Sequence, residues 1–368
     1  MLAIIKFIEA NGLAKAIEKF KLKTRVYEKK ILLKYDQIES DMSCPEVQEC
    51  RGLILERDTW KVMGMSFFKF FNHGEGNAAK IDWNTAQILE KLDGTMIQVY
   101  WDWHKNEWFA ATTGMAEAEG EVNNIEKTTF SNLFWNTAKL DKDKLDKDLT
   151  YVFELCTPEN IVVTPHTEYK VILLAVRNKN TLKEMSYPEL EVISQELSVP
   201  LVKSIKMTFS SVEDIKKTFE NMPFSEEGYI IVDADFNRIK IKNPAYVAAH
   251  MLKGKSGFHH IMDIIKTNEV EEYIATFPTR KDEILKLKVN YDNLINRLTD
   301  MWSILIKETP KNDGKIQKGY AEAVFKLTAE NGLKCFSGLF FNLANNKTSN
   351  INEFVSNFDN KILYELLR

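Results

Sequence analysis

Hydrophobic and polar positions change their period twice along this chain. The opening MLAIIKFIEANGLAK spaces its apolar residues as an amphipathic helix does. KILLKYDQI follows, and then RGLILE and MSFFKFFN, two short apolar runs with strand character. From about residue 85 the pattern is β-rich. Met96-Ile-Gln-Val-Tyr-Trp-Asp102 alternates, His-Lys-Asn-Glu breaks the run, and Trp108-Phe-Ala-Ala-Thr-Thr113 returns, which predicts a hairpin. Residues 115 to 140 carry helical spacing, and the charge run KLDKDKLDKD predicts a solvated helix end or loop. Thr150–Cys156 and Lys170–Val176 are continuous apolar strands of the kind that suits a sheet covered on both faces. Helical spacing with polar breaks occupies 187 to 222. Tyr229–Val232 and Arg238–Lys242 then flank a polar turn, a second hairpin that Asn243-Pro244 closes.

After about residue 250 the strand signal stops. Ile284, Leu287, Tyr291, Leu294, Ile295, Leu298, Met301, Trp302 and Leu305 follow helical spacing. A turn near Thr309 to Gly314 leads to more of the same. These patterns predict an α+β domain over 1–252, with 1–80 as its N-terminal subregion, and an all-α domain over 253–368. The boundary is expected at Lys253-Gly-Lys-Ser-Gly257.

Composition narrows the class. A chain of 368 residues, 44% hydrophobic and 28% charged, is globular and long enough for two domains. A net charge of -4 excludes a globally basic nucleic-acid coat but leaves room for a local basic groove. No apolar run reaches the ~18 residues of a membrane helix, and the N-terminus reads as a helix rather than a secretion signal. Cys44, Cys50, Cys156 and Cys335 lack metal-site spacing and are expected as reduced thiols. His259-His260 would point in different directions on a helix, which disfavours a shared metal.

The sharpest chemical feature is Lys91-Leu92-Asp93-Gly94 before an apolar strand. A lysine amine attacks an electrophile when its pKa is lowered from about 10.4 and the target is held in line. Gly94 permits a tight turn against a ligand. Taken alone the tetrapeptide fits a solvated turn as well. Downstream, Glu154 lies in a buried-type strand, Glu227-Gly228 opens another, and Lys240-x-Lys242 puts two amines on one strand face. Such lysines call either for anions or for an exposed edge strand.

Together these segments resemble a known family. Lys91-x-Asp93-Gly94, Phe153-Glu154, Lys170-Val-Ile-Leu-Leu, Glu227-Gly228-Tyr229 and Lys240-x-Lys242 look like the ordered motifs of covalent nucleotidyltransferases, within which the chain is most similar to RNA ligase 1 of T-even bacteriophages. Glu49-Cys-Arg51-Gly52, Lys69-Phe-Phe71-Asn72, Pro158-x-Asn160 and Tyr246-Val-x-x-His250 extend the match, which runs from about residue 45 to 250. One position departs. The family carries a basic residue before the glycine that follows the first hairpin, and here Thr113 precedes Gly114. Another lysine is expected to substitute.

The resemblance implies a nucleotidyltransferase fold, ATP-grasp-like, of antiparallel sheets flanked by helices, followed by a helical specificity domain. It implies Lys91 as the nucleophile that takes AMP from ATP, with Lys240 and Lys242 on the α-phosphate and Arg51 and Lys69 on the β- and γ-phosphates. Leu92, Asp93 and Gly94 would line the ATP site, and Phe71 and Tyr229 would lie near the purine unless they are plain core. Glu154 is expected toward the ribose and Glu227 toward Mg²⁺ or Mn²⁺, with Asp93 behind the metal. The implied substrate is RNA with a 5′-phosphate and a 3′-hydroxyl, such as a tRNA, handled by a cytoplasmic monomer in a phage-infected cell. A DNA ligase or capping guanylyltransferase is the alternative within the superfamily, but these carry a C-terminal barrel where this chain is helical. A non-catalytic RNA-binding relative is the alternative outside enzymes, and the complete lysine and glutamate set argues against it.

Overall fold

The computed structural model describes residues 1–123, 128–160, 162–163, 165–206, 209, 211–252, 258–276, 281–308, 318–348 and 350–368, the side chains at 249–252, 258–260, 275–276, 308 and 318 excepted. The chain divides into two compact units, Met1–Lys253 and Gly254–Arg368. The boundary expected at Lys253–Gly257 and the turn expected at 309–314 lie outside the described residues, as do the side chains of His259 and His260.

The first unit holds three four-stranded sheets. One runs β1 (Leu22–Val26), β2 (Lys30–Tyr35), β3 (Arg51–Glu56) and β4 (Val62–Gly64) as antiparallel neighbours in that order. Helices Ala3–Asn11 and Leu13–Phe20 cover one face, where Ile4, Ile8 and Phe20 pack on Ile31, Leu33, Leu53 and Leu55. The other face presents Leu32 and Ile54 to Tyr100 and Ala111 of the next sheet. MSFFKFFN contributes only the two-residue β5 (Phe71–Asn72), and the rest of that run is not strand.

The second sheet is ordered β10-β9-β7-β8, from β7 (Thr95–Asp102), β8 (Glu107–Ala111), β9 (Leu149–Cys156) and β10 (Lys170–Asn178). The first hairpin forms with Gln98 opposite Ala111. β9 is apolar except at Thr150 and Glu154, and it lies between two other strands as its composition predicts. Among the described residues of the helical span expected over 115 to 140, only Phe130–Ala138 is helix. Met115–Gly120 is a chain of turns, since Gly114, Gly120 and a left-handed Ala118 interrupt the spacing. Of 187 to 222, Tyr187–Leu197 and Val212–Thr218 are helical, and a Ser186 capping box starts the former.

The third sheet runs β5-β12-β11-β6, with β6 (Gln87–Lys91), β11 (Gly228–Val232) and β12 (Arg238–Lys242). β5 joins β12 in parallel. Lys91 ends β6 and Thr95 begins β7, so the chain crosses from the third sheet to the second within Lys91–Gly94.

The second unit is helical throughout its described residues. Ile284, Leu287, Tyr291, Leu294, Leu298, Met301 and Leu305 form one buried stripe along Lys281–Glu308. Ile295 and Trp302 are only partly buried.

Candidate active site

The site begins with one row across three strands. Gly228 at the start of β11 is the ladder partner of Lys91 on one side and of Lys242 on the other. Ladder partners share a face, so both lysine side chains rise on either side of a residue that has none. Glu227 fills that space. Its Oε1 lies 2.6 Å from Lys91 Nζ and 3.7 Å from Lys242 Nζ. Lys240 is the partner of Ile230, two residues on, and so belongs to the same face. Glycine is required at 228. Its φ is +133°, and a β-carbon there would stand 2.2 Å from the Ile241 carbonyl oxygen.

Alternation also decides what the site excludes. Tyr229 falls on the opposite face, where it stacks on Phe219 at 5.8 Å and joins a core with Ile231, Ile239 and Ile241. The structure therefore does not bring Tyr229 to Lys91. Leu92 packs among Leu89, Ile172 and Ile230, and is an anchor of the crossing rather than a polar contact. Gly94 lets that crossing press on β9: a β-carbon there would lie 2.6 Å from the Leu155 carbonyl oxygen and 3.0 Å from Glu154 Cγ.

Asp93 has a structural task. Its Oδ1 accepts from the Tyr246 hydroxyl at 2.9 Å and its Oδ2 from the Val163 amide at 3.0 Å, while its carbonyl meets His166 Nε2. The carboxylate is buried and each of its oxygens accepts one hydrogen bond, which ties the Lys91–Gly94 crossing to two distant segments. Sequence reasoning singled out Tyr246 without a role, and this contact supplies one. Val163 stands in the Ile-Val-Val run behind Pro158-x-Asn160 that the resemblance included, whereas His166 was missed, and nothing local in the sequence marks it. Asn160 braces the same region, accepting from Thr95 Oγ1 at 2.9 Å and donating to the Leu155 carbonyl at 2.7 Å.

Glu154 stands beside this cluster. Burial is the largest influence on its carboxyl and pushes it up to about 8, against the opposing pull of Lys91 and Arg51 and with the repulsion of Glu227 and Asp93. At neutral pH the group is thus mostly protonated and offers both an O–H donor and a carbonyl acceptor. One donor and one acceptor side by side suit a vicinal diol such as a ribose.

Arg51, from the first sheet, acts on the same carboxyl electrostatically. A bulge puts it there: Leu33 pairs with Leu53 but Lys34 pairs with Arg51, leaving Gly52 as the extra residue at φ +76°. The bulge keeps Arg51 opposite Lys34, on the face that meets the second sheet, where a regular strand of this sequence would turn it to the Leu33 face. Gln98 of β7 fixes the bulge by donating to the Gly52 carbonyl at 2.6 Å. Burial lowers the Arg51 guanidinium from its ordinary value, and its Nη1 has no hydrogen-bond partner. Lys69 is close by, its Nζ 5.4 Å from the Tyr35 ring and 5.4 Å from that of Phe71. Phe71 is buried beneath that ammonium.

The residues brought together are thus Lys91, Glu154, Glu227, Lys240 and Lys242, with Arg51 and Lys69 alongside. Among the described residues no three His, Cys, Asp or Glu side chains converge as a metal-binding group. The four cysteines form no disulfide.

A family model described as RNA ligase matches residues 49–246, more than half of the chain. The chain belongs to this family, that of phage T4 RNA ligase 1. It is similar to the RNA ligase of Rhodothermus phage RM378, 26% identical over 342 residues, which cover 74% of this chain and 77% of that protein. It is also similar to the "Putative bifunctional polynucleotide kinase/RNA ligase" of Autographa californica nuclear polyhedrosis virus, 27% identical over 309 residues, which cover 77% of this chain. The match spans 43% of that longer protein, less than half its length. Among solved structures an archaeal ATP-dependent RNA ligase aligns over 90% of this chain and 91% of its own, with 12% identity and a TM-score of 0.46.

Proposed function

We propose that the chain is an ATP-dependent RNA ligase that works through a lysyl-AMP intermediate on Lys91. The observation that carries this reading is the Lys91–Gly228–Lys242 row, with Glu227 between the amines and Glu154 beside them. In the free protein Lys91 is ion-paired. An ammonium has no electron pair to offer, so the pair with Glu227 must open and a proton must leave before attack. The amine nitrogen then bonds to the α-phosphorus, and the α,β-bridging P–O bond breaks with its electron pair leaving on pyrophosphate. Lys240 and Lys242, on the same face, balance the charge that grows on the α-phosphate oxygens. Glu154 holds the ribose, and Arg51 and Lys69 hold the leaving phosphates. Phe71 acts by seating Lys69.

The second transfer moves AMP from Lys91 to an RNA 5′-phosphate, forming a 5′,5′-pyrophosphate linkage and freeing the amine. In the third, an RNA 3′-hydroxyl attacks the RNA phosphorus of that linkage, losing its proton and expelling AMP. A magnesium ion, when bound, supplies charge neutralisation on the phosphates. Since no closed group of metal-binding side chains forms among the described residues, Glu227, with Asp93 behind it through water, would serve an ion carried mostly by substrate phosphates and water.

The helical unit is assigned to recognition of a structured RNA such as a tRNA. Several of its cations already have internal tasks. Lys266 is buried and donates to the Phe358 carbonyl and Asn360, Lys288 pairs with Asp292, and Arg297 donates to the Asn331 carbonyl. Lys281, Lys286 and Lys307 remain candidates for phosphate contacts. The reading is tested by incubating the protein with α-labelled ATP or GTP and Mg²⁺ and looking for a covalent, acid-labile adduct. ATP labelling supports it. Preferential GTP labelling would move the chain to the capping class, and no adduct with either would sink the reading.

A further inference from the structure

Three cations stand in one row across the first sheet. Lys23 of β1 pairs with Lys34 of β2, and Lys34 with Arg51 of β3. Residues opposite one another in an antiparallel ladder share a face, and like charges there repel. Lys23 is relieved by Asp36 at 2.6 Å. Among the described residues Lys34 has no such carboxylate, and Arg51 Nη1 is buried without an acceptor. With Tyr35, Gln37 and Thr113 the three cations line a cavity of about 300 Å³.

The opposite wall belongs to the second sheet. Leu32, two residues before Lys34 and on its face, packs against Tyr100 and Ala111, so Lys34 also points toward that sheet. Its Nζ lies 3.9 Å from where a β-carbon on Gly114 would stand. This is the turn whose residue 113 is an uncharged threonine. Arg51, at the inner end of the row, is coupled electrostatically to Glu154 and thereby to the Lys91 cluster.

We propose that Lys34 is the cation that replaces the charge missing at Thr113, and that with Arg51 it forms the subsite for the pyrophosphate end of the nucleotide. This rests on the ligase reading above. A polyanion in the cavity relieves the repulsion within the row, gives Arg51 Nη1 an acceptor and finds neutral hydroxyl donors on Tyr35 and Thr113. The leaving pyrophosphate takes the electron pair of the broken P–O bond, so its charge increases beside Lys34 during adenylation and during the reverse reaction.

The test is discharge of the labelled lysyl-AMP adduct by pyrophosphate, measured as a function of pyrophosphate concentration. Lys34→Met should raise the half-saturating concentration by about tenfold or more, the size of one charge-assisted hydrogen bond. Lys34→Arg should recover most of it. So should Thr113→Lys placed in the Lys34→Met background, because that lysine returns a charge to the same cavity from the other sheet. Lys34→Gln takes the place of the Met variant if the latter loses its melting transition. Half-saturation within twofold of wild type in a folded variant overturns the inference, as does a defect that neither Lys34→Arg nor Thr113→Lys rescues. Failure of the wild-type protein to form any adduct would instead overturn the ligase reading itself.

Discussion

Gly228→Ala is the most demanding test of the site geometry. The substitution adds one methyl group in the middle of the Lys91–Gly228–Lys242 row and touches no reacting atom. That methyl would lie 2.2 Å from the Ile241 carbonyl oxygen and 3.0 Å from the Asn243 nitrogen, at a φ of +133° that side chains rarely adopt. Contacts under 3.0 Å are essentially never seen for real β-carbons, so β11 and β12 must part by most of an ångström. Backbone strain of this kind costs roughly 1–3 kcal/mol, and overpacking against a fixed backbone roughly another 1–3. For a unit of this size each kcal/mol lowers Tm by roughly 2–4 °C, so the fall should be on the order of 10 °C. The partner strand carries Lys240 and Lys242, so the amines move with it. A misplacement near 1 Å costs about a hundredfold in rate. Calorimetry and the rate of labelled adduct formation read both effects. Gly76→Ala, where a β-carbon meets nothing within 4 Å, is the control and should leave both unchanged. A Gly228→Ala protein that melts within about 2 °C of wild type and labels at the same rate would show that the row does not set the position of Lys91.

Lys91→Ala should form no adduct and join no unadenylated RNA, while keeping some joining of RNA that already bears a 5′-adenylate; a surviving adduct would disprove the assignment. Because Glu154 holds its proton to about 8 against an ordinary 4.5, the folded protein binds a proton that the unfolded chain has released, and stability falls as pH rises through that window. Glu154→Gln should remove that fall, so the urea midpoint of the variant should gain on wild type between pH 5 and pH 8, and a constant difference would mean that Glu154 is ionised throughout. A chain ending at Lys253 should still label with ATP while losing its preference for a folded RNA over a generic strand, measured by competition at fixed salt; a folded but inert fragment would assign the helical unit to the chemistry.

The parts of this molecule with a strong period were legible in the sequence. Both hairpins, the apolar strands holding Glu154 and the 284–305 stripe follow from spacing, because alternation and helical periodicity report directly on which face is buried. Glu154, Glu227, Lys240 and Lys242 stood out because their residue types are costly in otherwise apolar strands, and Lys91 through the Lys91-x-Asp93-Gly94 turn and the family resemblance. What stayed hidden depends on pairing between distant segments. Nothing near Tyr229 says which face of the sheet carries lysines, and only the Gly228 partners fix it. The hydrogen bonds that Asp93 accepts from Tyr246 and the Val163 amide likewise join segments far apart in the chain. Lys23 and Lys34 look like ordinary strand lysines, and their alignment with Arg51 exists only through strand register. The helical expectation over 115–140 failed because three backbone interruptions outweigh a weak apolar spacing.

The bulge at Gly52 makes the orientation of Arg51 a matter of parity. Along a strand, odd and even positions look in opposite directions, and one additional residue reverses every direction beyond it. Straightening the bulge with Gly52 kept in the strand would leave every residue type intact and yet pair Arg51 with Tyr35, aiming the guanidinium at the Leu33 core, away from Lys34 and Glu154. The bulge absorbs that extra residue, so the arginine faces Lys34 as it would in a strand one residue shorter. Residue identity at position 51 therefore does not state which face the arginine takes; its partner across the ladder does.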